Sequence, residues 1–201
     1  MNKNILQFSM YERERSDFMC KILKELQGKS AKALLNEYNI LTEPPIDIDI
    51  LLNNIGISVI SVDFSKIESQ VGIEKGSILG ATVSEGENLS IFYRTDATEN
   101  RRRFTIAHEL AHCCLHTDHL IDHHIEFRAN SKFLSGKEYD ANVFAGALLI
   151  PEEALKTVYK QLLVPSLDTL SRIFKVSTTV MVARLDYLNM PYLKDIEINE
   201  A

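Results

Sequence analysis

The residues best able to do chemistry lie between Arg103 and His116, a stretch that contains His108-Glu109-Leu-Ala-His112. On a helix of 3.6 residues per turn, imidazoles four residues apart project from one face about a turn apart, so His108 and His112 can share a metal ion. Glu109 points about a quarter turn aside. Its carboxylate is too far round to be an easy third ligand but can reach a water held on the metal, the arrangement of a zinc hydrolase with its general base. A pattern this short arises by accident in about one or two chains in a hundred of this composition, so its weight depends on context. All six histidines fall between His108 and His124, which strengthens it.

A third ligand has to come from elsewhere. The run Glu138-Tyr-Asp-Ala-Asn142-Val-Phe-Ala-Gly-Ala-Leu-Leu-Ile-Pro151 has apolar positions at helical period and stops at a proline. Glu138 and Asn142 share a face, so the carboxylate can reach the metal while the amide hydrogen-bonds a ligand imidazole from behind. Asp140 competes for the ligand role, but it lies about 200° round the helix from Glu138, and the two cannot serve one ion together. Glu138 is preferred for its longer reach and for having Asn142 on its face. Two histidines and one glutamate leave one position open for water, as in catalytic rather than closed structural sites. His116 invites a three-histidine set instead. It lies about 12 Å along the axis from His108, too far for one ion, and reads as a partner of the helix C-terminus or a support for a ligand imidazole. His119, His123 and His124 read as surface histidines; His123, His124 and Tyr139 are the weak candidates for steadying substrate or an oxyanion.

These side chains need elements to position them. Apolar spacing over residues 16–38 predicts two helices, or one broken at Gly28. Asp47 can cap a short helix that Gly56 ends. Strands are expected at residues 57–63, 77–83 and 89–94, the last two flanking a turn-rich stretch, and together they should form a small antiparallel sheet. Asp96 and Glu99 suggest a capping box for the motif helix, which is apolar nearly all round and therefore central to the core. The run Arg101-Arg102-Arg103 reads as a solvated face, since cations are disfavoured near a helix N-terminus. Residues 117–137 read as a long irregular connection, with a strand-like piece at 124–128 able to pair with an extended substrate. After Pro151 a further helix is expected, then two short helices over residues 166–189 with Ser166 and Ser177 as N-caps, at helix-turn-helix spacing. The second of that pair offers only Arg184 as a cation, so packing or protein binding is the better reading than DNA reading. The chain thus divides into a helical segment at 1–44, a catalytic domain at 45–164 and a C-terminal helical segment at 165–201.

Composition narrows the class. At 45% hydrophobic and 25% charged over 201 residues, the chain is an ordinary soluble globular protein. A net charge of −6 argues against the whole molecule being a nucleic-acid binder. Cys20, Cys113 and Cys114 form neither a C-x-x-C pair nor an even disulfide framework. Cys113 and Cys114 are rotated off the ligand face and read as small buried hydrophobes. With no signal-peptide core and no apolar run near the ~18 residues needed to span a bilayer, a cytoplasmic protein is expected.

Taken together, Arg101 to His112, Glu138 to Ala145 and Leu148 to Pro151 resemble the ImmA/IrrE family of zinc metallopeptidases, and residues 166–188 look like that family's C-terminal helical pair. The resemblance covers about residues 45–190. It implies a zincin-like α+β fold of gluzincin type, zinc held by His108, His112 and Glu138, and Glu109 as base. Asp140 stands where many members carry a second glutamate, which favours Glu138 as the ligand. The resemblance also implies cleavage of an Xre-type helix-turn-helix repressor encoded nearby, releasing mobile-element or stress genes. A non-enzymatic alternative is a zinc-stabilised regulator or a toxin of a toxin-antitoxin pair, acting by binding a repressor or DNA.

Overall fold

The structure is a computed structural model that describes residues 20–117 and 136–193. The two early helices are α1 (Lys21–Leu26) and α2 (Ala31–Glu37), separated around Gly28 as the sequence predicts. Helix α3 (Ile48–Ile55) begins with the Asp47 carboxylate accepting the Ile50 N–H at 3.0 Å. It ends at Gly56 in the left-handed region, at φ 90°, where a side chain would be strained. Strand β1 (Ser58–Val62), helix α4 (Ser65–Val71) and strands β2 (Gly80–Glu85) and β3 (Asn88–Arg94) follow. The motif helix is α5 (Glu99–Leu115), and α6 (Gly136–Leu149), α7 (Glu152–Gln161), α8 (Leu167–Phe174) and α9 (Thr178–Tyr187) complete an α+β architecture.

The sheet is mixed, correcting the expectation of an antiparallel one. Its order is β1-β3-β2: β2 and β3 form the antiparallel hairpin, while β1 runs parallel to β3, from Ser58 opposite Ser90 to Val62 opposite Arg94. The reason is the crossover through α4, which sets the hairpin down with its second strand beside β1. Helix α4 escapes a reading of apolar period because its anchor is a charge. The buried Glu68 carboxylate accepts the N–H groups of Gly76 at 3.0 Å and Ile78 at 2.9 Å, and takes Arg94 at 2.7 Å. The Gly76 amide foremost, with Ile78 and Arg94, holds this carboxyl below the usual range against the opposing effect of burial.

Arg94 also overturns the expected capping box. Its guanidinium donates to both Asp96 oxygens, at 2.9 and 3.1 Å, so the N-cap of α5 is Thr98 instead, whose hydroxyl accepts the Arg101 N–H at 3.4 Å. A charge-assisted pair outcompetes a neutral amide for the same carboxylate. The arginine run likewise departs from a solvated face. Only Arg101 is exposed; Arg102 turns to Asp49 on α3, and Arg103 is buried. Arg103 donates to the carbonyls of Ile46 at 2.9 Å and Lys175 at 3.3 Å, and Asn100 donates to the Val176 carbonyl at 3.1 Å. The start of α5 thus grips the turn between α8 and α9 by its backbone.

Helix α5 packs against α6 and against β3, β2, α1 and α3, and every residue from Thr105 to Cys114 is buried. One hydrophobic cluster runs from Leu23 and Leu34 through Leu110 and Leu148 to Leu170 and Leu185, so the first and last helices share the core of the motif helix. Cys113 and Cys114 pack within it as expected. Burial pushes the Cys114 thiol up to about 12 and the Cys113 thiol well above its ordinary value. Ser166 and Ser177 cap α8 and α9 as predicted, accepting the Thr169 and Val180 N–H groups. No described helix is long and apolar enough to cross a membrane.

Replacing Arg103 by Met keeps the apolar stem but leaves two carbonyls without their donor. Urea unfolding should show a loss of about 1–3 kcal/mol for Arg103→Met, with little change for Arg101→Met on the exposed side.

Candidate metal centre

Helix α5 presents His108 and His112 one turn apart on the side facing α6, and α6 offers Glu138 from its first turn. The three side chains converge. The two Nε2 atoms are 2.9 Å apart, His108 Nε2 is 3.3 Å from Glu138 Oε2, and His112 Nε2 is 3.4 Å from Glu138 Oε1. One ligand atom from each lies within 4.8 Å of the others, the arrangement of a group that could hold a metal ion. Ligands about 2.1 Å from a tetrahedral ion stand about 3.4 Å apart, so these separations fit zinc with small adjustment.

The outer nitrogens decide which face of each ring is available. His108 Nδ1 is 3.1 Å from the Asn142 side-chain oxygen, an acceptor, so Nδ1 carries the proton and Nε2 keeps its lone pair. His112 Nδ1 is 3.0 Å from His116 Nδ1; with His112 as donor, its Nε2 is likewise left as a lone pair. With those donors the two Nε2 lone pairs face each other at 2.9 Å, an arrangement that a cation between them would satisfy. When protons rather than a cation occupy the group, the imidazoles donate to Glu138, His108 first, and hold its carboxyl well below the usual carboxylate range. His116 is pushed down from its ordinary value, chiefly by burial and then by His112, which keeps it neutral and able to accept.

Glu109, on the same helix, reaches the sheet. Its Oε2 accepts the Thr82 hydroxyl at 3.0 Å from β2, and the residue is 6% exposed. Gly80, two residues earlier on the same strand, makes this approach possible. A Cβ there would meet the Thr105 methyl at 2.5 Å, Glu109 Oε1 at 3.0 Å and the Phe92 carbonyl at 3.1 Å. Neither Thr82 nor Gly80 belongs to the residues singled out from the sequence. The available signal was a glycine inside a strand pattern, which marks a close approach of another group.

Of the remaining sequence candidates, Tyr139 follows Glu138 on α6 and is 55% exposed, and Asp140 is exposed on the same helix. His119, His123, His124 and the strand-like segment at 124–128 lie outside the described residues.

Comparison with protein families matches residues 56–186 to the peptidase M78 family, described as the IrrE N-terminal-like domain. The match spans more than half of the chain, which therefore belongs to this family, the one the motifs resemble. Among solved structures, a Mycobacterium tuberculosis transcriptional regulator aligns with a TM-score of 0.51 at 21% identity, covering 89% of this chain and 50% of that one. That likeness is one of fold, and this chain spans half the length of that protein. Comparison with curated proteins gives no match.

Gly80→Ala should strain the contact between β2 and α5. We expect a loss of about 1–3 kcal/mol in urea unfolding, part of it recovered by Thr105→Ser in the same chain, because that change removes the methyl the new Cβ would strike.

Proposed function

We propose that this member of the peptidase M78 family is a zinc-dependent endopeptidase in which His108, His112 and Glu138 hold the metal and Glu109 is the general base. The reading rests on one observation above all. Two imidazole nitrogens and a carboxylate converge from two helices, while a second carboxylate, that of Glu109 between the histidines in sequence, is held by a hydroxyl from a strand.

Zinc in such a site acts as a Lewis acid, lowering the pKa of bound water towards about 7 and stabilising charge on the substrate carbonyl oxygen. The chain's own residues supply the rest. Glu109 takes a proton from the attacking water and returns it to the leaving amine, work that needs an ionised carboxylate at a fixed place. The Thr82 hydroxyl, donating to Oε2, fixes that place. Asn142 and His116 fix the orientation of the ligand rings through their Nδ1 atoms, and Glu138 adds a negative charge that draws a cation to the group. The interior of α5 and α6 keeps bulk water from competing with these contacts.

For a substrate, we infer a helix-turn-helix repressor of the Xre type, met in the cytoplasm. The motifs of the ImmA/IrrE family support this assignment. The helix-turn-helix-like pair α8–α9 reads as a contact surface for protein rather than DNA, because Arg184, the one cation of α9, is buried and donates to the Ile150 carbonyl at 3.0 Å. In this reading the described parts of the segments at 1–44, 45–164 and 165–201 share one core.

Two variants separate catalysis from metal binding. Glu109→Gln should keep stoichiometric zinc yet lower cleavage of a co-purified repressor by about 10²–10⁴-fold, measured by mass spectrometry of the fragments. Cleavage at the wild-type rate would instead favour a regulator that acts by binding. Asn142→Ala should weaken zinc about 10–100-fold in competition with a chromophoric chelator, with the fold retained by circular dichroism.

A further inference from the structure

A cavity of about 540 Å³ opens between α6 and α9, beside the candidate metal centre. Two of its lining residues adjoin that centre. Asn142 lines it and holds His108 Nδ1, and Phe104 lines it with its ring centroid 6.3 Å from that of His108. Tyr139, next to Glu138 in the chain, and Tyr187 of α9 add two more aromatic rings to the lining, along with Val143 and Ala183. The cation at its edge, Arg184, is committed to the Ile150 carbonyl, and Asp186 is exposed at the surface. What remains facing inward is mostly apolar. The volume falls within the range of about 300–1,000 Å³ typical of ligand pockets, and it is too small to admit a whole helix about 10 Å across.

We propose that this cavity is a substrate subsite that takes an aromatic or long aliphatic side chain from a residue flanking the bond to be cut. The proposal rests on the peptidase reading above. Three rings around an apolar floor favour such a side chain over a polar one, whose hydrogen-bonding groups would go unmatched. Because Asn142 both lines the cavity and holds a ligand imidazole, an occupant lies one residue away from the metal group. Because Ala183 and Tyr187 belong to α9, the subsite is complete only with the C-terminal helices packed in place. That gives α9 a role in choosing substrates.

The test uses the full zinc-loaded chain. Ala183 is exposed on α9, so Ala183→Trp fills the cavity without entering the core. Peptides from a digested proteome are incubated with each protein, and the cut sites are read by mass spectrometry. The wild type should favour Phe, Tyr, Leu or Met over Gly and Ala at one flanking position by about tenfold or more, and Ala183→Trp should lose that preference at unchanged zinc content. Cleavage with no such preference, or with one that Ala183→Trp leaves intact, overturns the subsite while upholding the peptidase reading. Binding is read separately by methyl NMR with N-acetyl-phenylalaninamide as probe and N-acetyl-glycinamide as control. Shifts of the Val143 and Val180 methyls with the first alone support the pocket even if no peptide is cut, a result that would count against the peptidase reading only. Their absence overturns the proposal whatever the cleavage result.

Discussion

A helix buried on every side can carry polar side chains only if each finds a partner on another element, because an unpartnered polar group in the interior costs several kcal/mol. Helix α5 lives under that constraint from Arg103 to His116. Asn142 on α6 answers His108, Thr82 on β2 answers Glu109, and His116 at the helix end answers His112. Glu138 closes the group from α6, and the carbonyls of Ile46 and Lys175 answer Arg103. The sheet, the second helix and the C-terminal pair are all tied to α5 by these obligations as well as by the apolar core.

The same constraint sorts three carboxylates, two of them near the motif, into different kinds of work. Glu138 meets the two imidazoles across the place a cation would take. Glu109 meets a neutral hydroxyl across a tight helix–strand contact, which fixes its position without adding a cation beside it. Glu68, remote from the motif, meets two backbone amides and an arginine and acts as an anchor for α4 and the loop after it. Three buried or half-buried carboxylates thus do three different things, and their neighbours rather than their identity decide which.

Much of the centre was legible in the sequence because helical geometry is periodic. The four-residue spacing of His108 and His112, and again of Glu138 and Asn142, fixes which side chains share a face before any fold is known. The helix caps at Asp47, Ser166 and Ser177 were legible for the same local reason. What escaped was decided between distant segments. The parallel pairing of β1 with β3 depends on where the crossover sets the hairpin down, and α4 has a charge rather than an apolar stripe as its anchor. The inward turn of Arg102 and Arg103 depends on an aspartate and on carbonyls 53, 57 and 72 residues away in sequence. Thr82 matters only because β2 lies against α5, a contact that no local pattern announces.

Beside the apolar core, the polar hold on the C-terminal helices consists of side chains on one partner and backbone on the other. Arg103 and Asn100 bind the carbonyls of Lys175 and Val176, and Arg184 binds that of Ile150. Every residue has a carbonyl, so such clamps do not depend on what the turn's side chains are. The surface of α8 and α9 can therefore change freely during divergence while the pair stays docked at one angle, a socket that keeps its fit while its exposed face is rewritten for different partners.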